Sequence, residues 1–113
     1  MHELALTEGI LRILESEADR QAFTRVRTIW LELGVLSHAE PDAIRFCFDV
    51  VMKGTLAEGA RLDILRTPGK GWCMACAAEV ALGQRFDPCP LCGGHQVQVI
   101  DGDAMRIKEL EVA

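Results

Sequence analysis

The sequence predicts an α+β fold in which two helices pack on a small mixed sheet of about three strands, and a four-cysteine module interrupts that sheet. Two segments place apolar residues three and four positions apart, as amphipathic helices do. Three others alternate apolar and polar residues, as half-buried strands do. Four of the five cysteines lie between Cys73 and Cys92, which predicts the separate module. The chain has 113 residues, 50% hydrophobic and 26% charged, a composition typical of a globular domain.

Two helices are predicted in the first half of the chain. The first spans residues 3–21 and carries its apolar positions at Leu6, Ile10, Ile13 and Leu14. The second begins at Glu40-Pro41, because proline suits the first helical position and an acidic residue suits a helix N-terminus. It should end near Gly54, with an apolar face of Ile44, Cys47, Phe48 and Val51. On that face Cys47 is predicted to be a small buried hydrophobe.

Strands are predicted at residues 24–35, 61–66 and 104–112. In the last strand, Met105 and Ile107 fall on one face, whereas Leu110 and Val112 fall on the opposite face. A bulge near Glu109 would explain this change. Thr67-Pro68-Gly69 marks a module border. The predicted organisation is therefore an α+β domain in two pieces, 1–68 and the returning strand 103–113, with an inserted module at 69–102.

The two cysteine pairs form metal-ligand motifs. Cys73 and Cys76, then Cys89 and Cys92, make two CxxC motifs with twelve residues between them. Two intervening residues let one tight turn aim both sulfurs at a tetrahedral Zn²⁺ ion. We predict a zinc ribbon with one structural zinc per chain and short strands at 79–82 and 96–100. Four protein ligands leave no position for a catalytic water, and a dithiol redox pair would instead have one CxxC in a thioredoxin-like setting.

The charge pattern and composition argue against several partners. The formal net charge is −5, and no segment concentrates Lys and Arg, so no nucleic-acid partner is expected. No apolar run approaches the roughly 20 residues that span a bilayer, and no export signal is visible, so no membrane association is expected. Cysteine pairs in such a chain indicate metal ligands in the reducing cytoplasm. No catalytic constellation appears, so the protein is not expected to be an enzyme.

The first three residues have unusual metal chemistry. In Met1-His2-Glu3, the α-amine, the amide nitrogen of residue 2 and the imidazole can close fused chelate rings. Square-planar or tetragonal nitrogen and oxygen coordination suits Ni²⁺ or Cu²⁺. Taken alone, a histidine at position 2 is more often a surface residue.

Several motifs together resemble the HypA/HybF family of nickel-incorporation factors for [NiFe]-hydrogenase maturation. They are Met1-His2-Glu3 before a helix, Gly34-Val35-Leu36-Ser37 with Glu40-Pro41, Phe46 and Phe48 on the next helix, and both CxxC motifs with the following Asp103-Ala104-Met105-Arg106-Ile107. The resemblance covers essentially the whole chain. It implies a nickel-binding domain with ligands Met1, His2 and Glu3, and a zinc domain with ligands Cys73, Cys76, Cys89 and Cys92.

The resemblance also implies that nickel is transferred to the [NiFe]-hydrogenase large-subunit precursor, in concert with a HypB-type GTPase. Glu40 fits equally as a further nickel ligand and as an ordinary acid at a helix start. His38 and His95 are interpreted as surface residues, with an auxiliary ligand role as the alternative. A monomer or weak homodimer is expected. The alternative function is a zinc-ribbon adaptor that binds protein or nucleic acid without transferring nickel.

Overall fold

The computed structural model describes residues 2–113, in which two helices and six strands form. In chain order they are α1 (His2–Gln21), β1 (Val26–Gly34), α2 (Pro41–Val51), β2 (Arg61–Thr67), β3 (Gly69–Cys73), β4 (Ala78–Leu82), β5 (Val97–Asp101) and β6 (Met105–Val112). The strands make two three-stranded sheets, with orders β2-β1-β6 and β4-β3-β5. The predicted α+β fold class is confirmed: two helices accompany a small sheet, and the cysteine module lies before the returning strand.

The described residues fall into two compact units. The first contains the residues up to Leu31, Ala39–Ile64 and Ile107–Ala113, and the second contains Glu32–His38 and Leu65–Arg106. The division at residues 68 and 102 stays a prediction. Within the part of the chain that the structure describes, neither helix has the length and apolarity needed to cross a membrane.

The core of the first unit follows the predicted apolar patterns. Helix α1 buries Ile10 and Leu14, and α2 buries Ile44, Cys47 and Phe48. Ile29 and Leu31 of β1 are fully buried, as expected for a central strand. The buried position of Cys47 confirms its assignment to the core. Ile13 was predicted on the apolar face, but it is 51% exposed because it lies at the edge of that face.

The second sheet contains one strand that the sequence did not predict. Strand β3 pairs antiparallel with β4 on one side and β5 on the other. Its sequence, Gly-Lys-Gly-Trp-Cys, resembles a turn, yet Gly69 and Gly71 are buried. A Cβ at Gly71 would lie only 2.5 Å from Val97 Cγ1 and 2.7 Å from Leu82 Cδ1. Gly71 therefore allows the side chains of Val97 and Leu82 to pack closely against the backbone of the central strand β3.

Candidate metal sites

Four cysteine sulfurs meet at one point in the second unit. The Sγ atoms of Cys73, Cys76, Cys89 and Cys92 all lie within 4.8 Å of one another. The Cys73–Cys92 separation is 3.7 Å and the Cys76–Cys89 separation is 4.0 Å. Four sulfurs about 2.3 Å from a central tetrahedral ion would lie about 3.8 Å apart. These two separations match that spacing, and the donor set of four cysteine sulfurs fits the predicted metal.

Two tight turns aim these sulfurs. Cys73 is the last residue of β3, and the N–H of Cys76 donates a hydrogen bond to its sulfur at 3.4 Å. The N–H of Leu91 donates to the Cys89 sulfur at 3.4 Å in the same way. The second turn is closed by Gly93, whose positive φ of 72° suits glycine and whose N–H donates to the Cys89 carbonyl at 2.8 Å.

The thiols strongly influence one another's protonation. Hydrogen bonds to the sulfurs of Cys92 and then Cys73 favour the protonated form of Cys76 and raise its pKa to about 12. The backbone N–H of Cys92, followed by that of Leu91, lowers the pKa of Cys89 to about 7 despite its burial. A divalent cation must therefore displace at least one firmly held proton, and it supplies the charge that makes four adjacent thiolates stable.

The same cysteines form much of the local hydrophobic cluster. Its buried members are Cys73, Val80 and Cys89, and Cys76 and Val97 pack against them partly buried. Aliphatic side chains are therefore a minority in this cluster. A bound metal would replace the core that this part of the chain is too small to build.

The predicted nickel ligands lie at the start of α1, except that Met1 is outside the described residues. His2 Nε2 is 3.5 Å from Glu3 Oε2, and the His2 side chain is 55% exposed. The Glu3 carboxylate accepts a hydrogen bond of 3.2 Å from the backbone N–H of Glu40. This bond lowers the pKa of Glu3 below its ordinary value of 4.5. The structure therefore brings Glu40 to the predicted site, although its contact there is through the backbone.

Helix geometry leaves these first residues chemically available. His2 is the first residue of α1, and the first four N–H groups of a helix have no acceptor within it. An amide nitrogen at this position can lose its proton without breaking a helical hydrogen bond. A negative Glu3 in the first turn is also favourable with the helix dipole.

The other candidate ligands do not join a cluster. His38 is exposed in the loop before α2, and His95 is exposed on the second unit, where it lines a groove that Asp87 also lines. Among residues 2–113, the group of three or more potential ligands is the four cysteines. Sequence reasoning missed Arg85, whose Nε donates to the Leu36 carbonyl at 2.7 Å and fixes the connection between β4 and β5. An isolated arginine in a polar loop carries no signal for such a contact.

A comparison with models of protein families shows to which family the chain belongs. A family model described as "Hydrogenase/urease nickel incorporation, metallochaperone, hypA" matches residues 1–112. The chain belongs to the HypA family. This confirms the resemblance and places the chain among nickel metallochaperones of hydrogenase maturation, a non-enzymatic role.

Individual relatives with the name HypA are consistent with this family membership. A protein named hydrogenase maturation factor HypA from Rhodopseudomonas palustris strain BisA53 is 58% identical over 112 residues, or 99% of both chains. The one from Azotobacter vinelandii is 54% identical over the same share. The solution structure of the Ni metallochaperone HypA from Helicobacter pylori superposes with a TM-score of 0.73 at 19% identity, over 97% of this chain and 96% of that one. At that identity the structural match establishes the fold alone.

Proposed function

We propose that this HypA-family chain binds Ni²⁺ at its N-terminus and helps insert it into the [NiFe]-hydrogenase large subunit, while a structural four-cysteine zinc site stabilises the ribbon. The observation that carries the nickel part is the position of His2 and Glu3. They lie together at the N-terminal end of α1, with a 3.5 Å separation between imidazole and carboxylate. Met1 would add its amine, and Glu40 is a candidate further ligand.

The proposed zinc and nickel sites differ in their ligands, as a permanently bound metal and a transferred metal require. The four cysteine thiolates surround an ion completely with soft ligands, so zinc there should not exchange with nickel. His2 is largely exposed and offers nitrogen, and Glu3 offers oxygen at a helix end. A recipient protein can compete for such a small, mixed ligand set. The free thiols of the ribbon also favour a reducing compartment, which we propose is the cytoplasm.

The nickel proposal is tested by changing what precedes His2. Calorimetric nickel titrations would compare the untagged protein, a form with one added N-terminal residue, and His2→Ala. We expect the extended form to lose nickel affinity as severely as His2→Ala, with zinc content and helical circular dichroism unchanged. His38→Ala is the matched control, because it removes another exposed histidine and should leave affinity unchanged.

One result would refute this site. If the extended protein binds one nickel as tightly as the untagged protein, the amine is not a ligand. An internal site involving His38, Glu40 or His95 would then have to replace it.

We further propose that a HypB-type GTPase contacts the first unit near the N-terminus. The residues that bind nickel reversibly must be accessible to the protein that exchanges nickel with this chain. Glu8 and Arg12 lie exposed on α1, one to three turns beyond His2, so reversing their charges should weaken the complex. Gln84→Lys in the ribbon is the control. Weakening by the ribbon substitution, with none from the helix, would contradict the proposal.

A further inference from the structure

The four cysteines of the second unit differ in their exposure to solvent. Cys73 and Cys89 are buried, Cys76 is partly buried, and Cys92 is exposed. A bound metal holds all four sulfurs as thiolates, because metal ligands must be deprotonated. Ionisation therefore does not distinguish the four sulfurs in the metal-loaded protein, and access decides which of them an oxidant reaches first. By this criterion the Cys92 sulfur is the most open to attack.

The residues that follow Cys92 leave room beside its sulfur. A Cβ at Gly94 would lie 3.4 Å from Cys92 Sγ, in van der Waals contact, whereas a Cβ at Gly93 would meet no atom within 4 Å. Gly93 has a positive φ of 72°, which accounts for glycine there. Gly94 has no positive φ, so its backbone conformation does not require glycine. The missing side chain at Gly94 therefore leaves one side of the Cys92 sulfur uncovered.

Backbone hydrogen bonds distinguish the buried sulfurs from Cys92. The N–H of Cys76 donates to the Cys73 sulfur, and the N–H of Leu91 donates to the Cys89 sulfur, each at 3.4 Å. A donated N–H draws electron density from a thiolate and makes it less nucleophilic. Cys92 receives neither of these two bonds. Its sulfur is therefore exposed and is not weakened as a nucleophile in the way that the two buried sulfurs are.

We propose that Cys92 is an oxidation site, at which a peroxide converts the ribbon from a zinc-binding thiolate form into a disulfide form. The Cys92 thiolate attacks one peroxide oxygen, the O–O bond breaks, and hydroxide leaves, which gives a sulfenic acid. The Cys73 thiolate, whose sulfur is 3.7 Å away, attacks the Cys92 sulfur and expels a second hydroxide. The two thiolates lose two electrons as the S–S bond forms, and the peroxide gains them.

The disulfide removes two of the four ligands that the proposed zinc site needs, and this inference rests on that site. Cys76 and Cys89 alone cannot complete a tetrahedral zinc site, so the metal is released. Cys73 and Cys89 form the buried cluster together with Val80, so release of the metal also loosens the ribbon. A dithiol reductant reverses the disulfide by exchange. Oxidation at Cys92 is therefore a reversible switch between an ordered and a loosened ribbon.

The test adds hydrogen peroxide, in less than stoichiometric amounts, to the full-length, zinc-loaded protein. Zinc release, followed with a chromophoric chelator, should match the peroxide consumed mole for mole, and peptide mass spectrometry should identify a Cys73–Cys92 disulfide. A limiting amount of N-ethylmaleimide should modify Cys92 before the other three ligands. Cys47 is the internal control, because it is 4% exposed and should stay unmodified in the folded protein.

Gly94→Ala tests the cause without removing a ligand. Its added methyl group covers the Cys92 sulfur, so peroxide-driven zinc release and maleimide labelling of Cys92 should both slow by about threefold or more. Gly83→Ala is the matched control, because its Cβ lies 3.6 Å from Asp87 Oδ2 and it should react at the wild-type rate. Loss of zinc to excess chelator without peroxide should be equal in both variants, which separates shielding of the sulfur from a change in zinc affinity.

The possible outcomes separate this inference from the zinc site itself. Protein that contains no zinc before peroxide is added contradicts the proposed zinc site and this inference with it. Zinc-loaded protein in which another cysteine reacts first, or in which Gly94→Ala reacts like the wild type, overturns the role of Cys92 alone. A first disulfide that joins Cys89 to Cys92, or one that forms while zinc stays bound, overturns the proposed switch as well.

Discussion

Replacing Gly71 by alanine should weaken zinc binding although the residue carries no ligand. The added Cβ would lie 2.5 Å from Val97 Cγ1 and 2.7 Å from Leu82 Cδ1. Carbon atoms in contact are normally about 3.5–4.0 Å apart, so both side chains must move by about 1 Å. Such overpacking costs about 1–3 kcal/mol. The loss of unfolded-state freedom on Gly→Ala offsets about 0.4–1 kcal/mol of this.

At the middle of both ranges the net destabilisation is about 1.3 kcal/mol, which should appear as a zinc affinity lowered about tenfold, because ribbon folding and metal binding are linked. Competition with a chromophoric zinc chelator measures this directly. Gly83→Ala is the control: its Cβ would make only an ordinary 3.6 Å contact with Asp87 Oδ2, so zinc affinity should stay equal or rise slightly. Val97→Ala removes the closest clashing atom, so Gly71→Ala should cost less in that background. Equal zinc affinities for Gly71→Ala and Gly83→Ala would refute the packing argument.

Three further outcomes follow from the described contacts. Cys92→Ala should abolish stoichiometric zinc and the ordered ribbon spectrum while helical signals persist, and full zinc occupancy by elemental analysis would contradict the four-thiol assignment. The pKa of Glu3, held down first by the Glu40 N–H, should lie below 4.5 in an NMR titration. The charged Glu3 carboxylate should contribute its full stabilisation above that pH, and this contribution should disappear as the pH falls through the lowered pKa. The free energy of unfolding of Glu3→Gln should show no such pH dependence. Arg85→Ala should lose the 2.7 Å bond to the Leu36 carbonyl and about 1–2 kcal/mol in urea unfolding, and an unchanged midpoint would show that the bond contributes nothing.

The sequence correctly predicted the elements that are specified by residues close together in the chain. Helix α2 begins at the predicted Pro41, because proline and the apolar face both act within one element. The CxxC spacing likewise predicted the cluster of thiols, since each pair is positioned by its own turn. In both cases the residues that matter are close in the chain.

Features that depend on distant residues were not predictable in the same way. Strand β3 was missed because its glycines are explained only by Val97 and Leu82, which come from other strands. For Glu40 the sequence left two roles open, a further nickel ligand or an ordinary acid at a helix start, since it does not specify how the loop before α2 packs beside α1. The structure places the Glu40 backbone, rather than its carboxylate, against Glu3.

The cysteine-rich cluster has a consequence for the lifetime of the chain. Because Cys73 and Cys89 are two of its three buried residues, a chain synthesised when zinc is scarce has little else to hold residues 69–101 in order. That stretch precedes β6, which pairs with β1. Proteases cut exposed, disordered segments first, and one cut there would leave β6 attached only by non-covalent contacts. We expect limited trypsin digestion to cleave the chelator-treated protein within this stretch and to spare the zinc-loaded form, so that zinc supply sets how much of this factor survives.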